Sequence, residues 1–225
     1  MIGIVGGLMN PTLKPWIRWL LNEEATGLLK KEYDVAIKRA GRVFNIFRIQ
    51  SLRPSAMQAS MQLYVALMQR SSEMLGRPER EMIAVVVSQT NRCPYWTQAH
   101  LHDLREEVNN DEMVDSFAKD WRTAGLPEHI QTTLAFAEKL TLTPNQMSQE
   151  DIKSLRQHGY TDEDIHDITQ IVAYFNYLTR IADGLGIPPE EGLMDPWPRE
   201  DGQWDTVWFY DRRLLSQSYQ RILKL

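Results

Sequence analysis

Cysteine is nearly absent from this chain: Cys93 is the single one in 225 residues. One thiol excludes an intrachain disulfide framework and suits a reducing compartment. No block of basic residues stands out, and the formal net charge is -5, so nucleic acid is not an expected partner. No apolar run has the layout of a membrane span or a signal peptide. The stretch Met1–Met9 is apolar, but no basic residue precedes it, and Pro11 and Lys14 follow. The expectation is a cytoplasmic protein with no membrane partner. A phosphate-cradling loop is lacking too, because Gly3, Gly6 and Gly7 have neither the spacing nor a following βα pattern. No nucleotide or other cofactor is expected.

What is present is a globular composition, 43% apolar and 24% charged, enough for one sizeable core. Helix signals dominate. Leu28, Leu29, Val35 and Ile37 lie among charges over residues 23 to 40. Pro54 suits the first turn of a helix in which Met57, Met61, Tyr64 and Met68 fall at helical spacing. That methionine stripe reads as core filling. Arg77-Pro-Glu-Arg-Glu81 starts the next helix, and its acidic first turn favours a buried helix over a strand for Val85–Val87. Cys93-Pro94 opens a helix running through His100 towards Val108. A further helix covers Thr132 to Leu140.

Ser148 with Asp151, and Thr161 with Asp164, have the spacing of helix N-caps. Gly159 reads as a stop for the first of these helices, and Gly184 and Gly186 for the second, near Ala182. No convincing strand is found, so the fold class is all-α.

Three regions follow. Residues 1-22 form an N-terminal interface segment, in which Trp16–Leu21 packs on the core or on a sister subunit. Residues 23-187 form the helical domain. Residues 188-225 form a C-terminal arm carrying Trp197, Trp204 and Trp208, with a last short helix at 211 to 223. Sliding Glu81–His100 onto Glu163–Ala182, an offset of 82, aligns Ile83 with Ile165, Tyr95 with Tyr177 and Thr97 with Thr179. This suggests two related helical hairpins, with chemistry in the first alone, since Phe175 and Ala182 replace Cys93 and His100.

The chemistry-bearing residues gather at Asn91-Arg-Cys-Pro-Tyr-Trp-Thr-Gln-Ala-His100. On a helix opening at Cys93, positions 93, 96 and 100 share one face. A thiol there meets unpaired N–H groups and the helix dipole, which favour a thiolate. Glu81, on the preceding helix, is placed to orient His100. Nucleophile, base and orienting carboxylate is the layout of an activated thiol. Against it, Cys93 and His100 are two turns apart, roughly 10 Å, and Trp96 between them has no acid–base chemistry. A lone buried cysteine is also an ordinary small hydrophobe. Metal binding is not expected. His100 and His102 point about 160° apart on one helix, and Glu163-x-x-His166 is a single motif where a carboxylate-bridged site needs two.

The chain resembles the alkylhydroperoxidase-D-like, carboxymuconolactone-decarboxylase-like superfamily, in its peroxidase-related branch. The residues that carry the resemblance are Arg39–Pro54, Arg80–Ser88, Asn91–His100 and Tyr174–Gly186. It implies an all-helical fold, assembly of identical subunits into trimers or hexamers, and a small-molecule substrate, a peroxide or a small organic acid. It also implies peroxide reduction by a Cys-x-x-Cys pair, in which the second sulfur attacks, the first resolves, and glutamate and histidine relay the proton. Glu81, Cys93, Tyr95 and His100 match that pattern. Trp96 stands where the attacking sulfur would be, a position that is selenocysteine in some relatives.

Three readings follow. The first is a thiol peroxidase with Cys93 as its single redox group, which requires a low-pKa thiol. The second is an enzyme in which Glu81 and His100 do acid–base work on a small organic substrate beside Tyr95 and Trp96, of decarboxylase or lactone type. The third is a catalytically silent oligomeric protein with Trp96 plugging the site.

Overall fold

The computed structural model describes residues 14–190. Among these the chain forms nine α-helices, three short 3-10 turns and no strand. The helices are α1 (Gly27–Ala40), α2 (Asn45–Ile49), α3 (Pro54–Met68), α4 (Arg77–Thr90), α5 (Pro94–Val108), α6 (Asp111–Lys119), α7 (Glu128–Leu142), α8 (Gln149–Gln157) and α9 (Asp162–Leu185). None is long and apolar enough to cross a membrane.

The centre of the fold is α4. Every residue from Arg80 to Ser88 is buried, because α5, α7 and α9 all pack against it. This is why Val85–Val87 forms a helix despite three β-branched residues in a row: burial on all sides outweighs a weak local preference. Charge enters this core only with a partner. Arg80 is 1% exposed and donates to Asp167 at 2.9 Å, Leu67 O at 2.5 Å and Leu75 O at 3.3 Å.

The two cap readings hold. Ser148 donates its N–H and hydroxyl to Asp151 at the start of α8. Thr161 and Asp164 exchange bonds at the start of α9, Asp164 N to Thr161 Oγ1 at 3.1 Å and Thr161 N to Asp164 Oδ2 at 3.0 Å. The end of α9 departs from expectation. Gly184 lies inside the helix, and Gly186, at φ 62, is the left-handed cap.

Two helices lie outside the sequence expectations. Short α2 buries Asn45, Ile46, Phe47 and Ile49. Helix α6 is capped by Asn110, whose side chain accepts from Met113 N at 3.1 Å, and buries Val114 and Phe117. The 82-residue correspondence aligns side chains but not hairpins: Glu81–His100 crosses from α4 through a turn into α5, whereas Glu163–Ala182 lies within α9.

The chain ends of the described region dock on the helices. Trp16 N donates to Leu185 O at 3.0 Å, and Leu20 N donates to Ser51 Oγ at 2.8 Å. At the other end, Asn45 Nδ2 donates to Pro188 O and Pro189 O at 3.2 and 3.0 Å, and Asn45 N donates to Glu190 Oε1 at 2.6 Å. The expected tryptophan-rich arm and the helix at 211 to 223 lie outside the described residues.

Candidate active site

The candidate site lies where α4 turns into α5. The turn is tight, with Arg92 in the left-handed region at φ 56. It is tied to α9 by Asn91 Nδ2, which donates to Asn176 Oδ1 at 3.0 Å and Thr179 Oγ1 at 3.1 Å. Cys93 is the N-cap of α5 and Pro94 its first residue. A proline there gives up no hydrogen bond, since the first N–H groups of a helix have no partner within it.

Glu81 and His100 meet in the buried seam between α4 and α5. Glu81 Oε2 lies 2.5 Å from His100 Nδ1, with the residues 0% and 1% exposed. The second oxygen, Oε1, is 2.5 Å from Arg77 Nη2, one turn earlier on α4. A carboxylate in that ion pair is an acceptor, so Nδ1 carries the proton. Nε2 then keeps a lone pair. It is buried and has no hydrogen-bond partner, which leaves its lone pair unused within the cluster.

Trp96 stacks on the imidazole, with ring centroids 5.4 Å apart and planes at 18°. Its indole N–H donates to Leu178 O at 3.1 Å, which holds the ring in place. Phe175 meets the His100 ring edge-on at 4.4 Å. His100 is thus framed by two aromatic walls and one carboxylate.

Cys93 is fully buried. Burial pushes its thiol well above the ordinary range. The Trp96 N–H at the helix start favours the thiolate, as helix geometry suggests, but is outweighed, and Asp183 beside the sulfur adds to the rise. Burial thus opposes what the cap position favours. Tyr95 is buried next to it, and its hydroxyl donates to Glu190 Oε1 at 2.5 Å, so that hydroxyl is already engaged.

Three more residues join the seam. Arg77 Nη2 is 3.3 Å from the Tyr64 hydroxyl and 3.9 Å from Asp103 Oδ2, and Arg77 Nε is 3.9 Å from Glu107 Oε1. The helical spacing of Arg77 with Glu81, and of His100 with Asp103, was the available signal; the Tyr64 hydroxyl carried none, since Tyr64 sat in an apolar stripe. Donor atoms of Glu81, His100 and Asp103 lie within 4.8 Å of one another, a spacing that would also suit a metal ion. Here the positive charge beside Glu81 is the Arg77 guanidinium. The Glu163–His166 motif makes no such cluster: His166 is exposed at the start of α9.

The profile of the Carboxymuconolactone decarboxylase family matches residues 54–139, from α3 into α7. An uncharacterized protein, YdfG, of Bacillus subtilis is 24% identical over 137 residues, 60% of this chain and 90% of that protein. An uncharacterized peroxidase-related protein from Ralstonia eutropha, with an alkylhydroperoxidase AhpD core, superposes with a TM-score of 0.73 at 29% identity, over 81% of this chain and 98% of that one. A peroxidase-related protein from Silicibacter gives 0.73 at 27% identity, over 83% and 97%. The helical architecture is thus shared with these proteins, the family model spans the stretch that carries the Glu81–His100 seam, and together they support assignment to the alkylhydroperoxidase-D-like, carboxymuconolactone decarboxylase superfamily.

Proposed function

We propose that the chain is an enzyme acting on a small organic substrate through Glu81 and His100, by acid–base chemistry of decarboxylase or lactone type. The observation that carries this reading is the unpartnered Nε2 of a buried His100 whose other nitrogen is held by Glu81. Glu81 fixes the tautomer and stabilises the imidazolium once Nε2 has taken a proton. Trp96 supplies a flat apolar wall beside the base, and Tyr95 braces it from behind through an edge contact at 5.2 Å.

The thiol-peroxidase reading makes the opposite demand. It needs Cys93 as an exposed, low-pKa nucleophile with an external thiol as resolver. The helix-start N–H groups near the sulfur favour it, but burial and Asp183 work against it more strongly.

Variants separate the two in one assay over hydroperoxides and small lactone carboxylates. Cys93→Ala is expected to keep turnover of an organic acid within about threefold, and His100→Gln to lose at least about a hundredfold. Peroxide turnover that disappears in Cys93→Ala would overturn the reading, and so would the absence of any turnover.

Assembly into a homo-oligomer is part of the same proposal. Exposed Trp16, Leu21, Val35 and Ile37 are apolar surface suited to a subunit contact. Sedimentation velocity of the full chain is expected to give a trimer or hexamer; a monomer at micromolar concentration would contradict it.

A further inference from the structure

We propose that the segment 211 to 223, which lies outside the described residues, docks as a helix along the exposed face of α3 in its own chain. The chemistry of Glu81, His100 and Cys93 plays no part in this contact, so it stands or falls apart from the acid–base reading.

Helix α3 is apolar on two faces. One is buried, through Met57, Ser60, Leu67 and Met68, where α1, α4 and α9 pack against the helix. On the other, Ala56, Ala59, Leu63 and Ala66 recur at steps of three, four and three, and all are exposed. Leu52 precedes them in the turn at 40% exposure, and Leu63 is 41% exposed. No charged residue occurs from Pro54 to Met68. A helix that meets water ordinarily turns a polar face to it. A stripe at these steps is the seam along which a second helix packs.

The matching pattern is in the same chain. Over 211 to 223, Leu215, Tyr219 and Ile222 fall at steps of four and three, while Arg213, Gln217 and Arg221 take outward positions. At 1.5 Å per residue this segment makes a helix about 20 Å long, against about 22 Å for the 15 residues of α3. Leucine, tyrosine and isoleucine side chains fill the shallow places that three alanines leave. A second copy of α3 on the same stripe would bring mostly alanine and bury less apolar area.

The described chain stops within reach. Glu190 is fixed at Asn45, the first residue of α2. Pro54, the first residue of α3, follows Asn45 after at most about 34 Å of chain. Residues 191 to 210 can span about 66 Å, enough to bring 211 to 223 alongside α3.

Two measurements on the full chain test this. With Ala59→Cys and Tyr219→Cys, each near the middle of its helix, mild oxidation is expected to give a disulfide within one chain, read by mass spectrometry of the non-reduced monomer band. Leu142→Cys with Tyr219→Cys, which puts the first thiol on an exposed apolar residue of α7, is expected to give none. Trypsin is expected to cut at Arg213 and Arg221 at least about tenfold faster in Leu63→Glu than in the wild type, because a charge in the seam opens the contact. A Leu63→Glu chain cut no faster overturns the proposal, and so does the absence of the Ala59→Cys, Tyr219→Cys disulfide. A disulfide that joins these two positions between chains places the segment on a neighbouring copy, and one that joins Ala59→Cys to its counterpart in another chain places a second α3 there; either also overturns it. Should Leu63→Glu lose its helical circular dichroism, the disulfide pair alone decides.

Discussion

Trp96 is held at four points, by the His100 stack, the Tyr95 and Phe175 edge contacts and the Leu178 carbonyl. A side chain so fixed is part of the site's wall. Trp96→Ala is expected to destabilise the fold by about 3–5 kcal/mol, the usual range for emptying a buried aromatic site, measured by urea unfolding. Glu81 is tied more tightly still. Glu81→Gln removes the nearest counter-charge of Arg77 and is expected to cost about 3 kcal/mol, while a Glu81→Gln protein as stable as wild type would mean that the ion pair contributes nothing. The spacing of Glu81, Cys93 and His100 was legible in the sequence because helix periodicity determines which residues share a face. The state of the thiol was not. The cap position argues for a thiolate, but desolvation and Asp183 come from packing between distant segments, and these decide the sign.

At the scale of elements, caps and turns were the readable part. The Thr161–Asp164 box was visible as spacing, but the third partner, Ser72, lies 92 positions away and bonds Asp164 Oδ1 at 2.5 Å. Burial alone would raise the Asp164 pKa; the Ser72 and Thr161 hydrogen bonds outweigh it and hold the carboxyl below its ordinary value. The sign follows. With a depressed folded pKa, Asp164 contributes stability above its unfolded value near 4, and this is lost as pH falls through the folded value. Asp164→Ala is expected to cost about 1–2 kcal/mol at pH 7, and the difference should shrink in acid. Gly186 closes the same helix at φ 62 with the Trp16 ring where a Cβ would sit. Gly186→Ala is therefore expected to lower the thermal midpoint and to free Trp16, seen as a change in its fluorescence. Helix α6 has Val114 and Phe117 buried and Met113 and Ala118 packed beside them, a helical spacing that spans only nine residues.

For the whole molecule, the all-α class followed from periodicity and the absence of strand patterns. The way the chain ends close over the core did not, since it depends on long-range polar contacts. Glu190 shows this best. It is 3% exposed and accepts from Asn45 N and Tyr95 Oη, 145 and 95 positions away. Burial raises its pKa above the ordinary value, with the Tyr95 and Asn45 hydrogen bonds opposing. The folded state thus binds the proton more tightly, and stability from this group falls as pH rises from the ordinary carboxylate range through the folded value. Glu190→Gln keeps both acceptor contacts without the charge, and is expected to gain on the wild type between pH 5 and 8 in urea unfolding. Glu190→Ala strands both donors and is expected to lose about 1–3 kcal/mol.

The central claim is that the working groups are Glu81 and His100, with Cys93 as part of the core. The rate of Cys93 alkylation by iodoacetamide as a function of pH tests it most directly. A rate at pH 7 well below that of a free thiol, still rising with pH above the ordinary thiol range, is expected. A fast rate already level at neutral pH would establish an activated thiolate and contradict it.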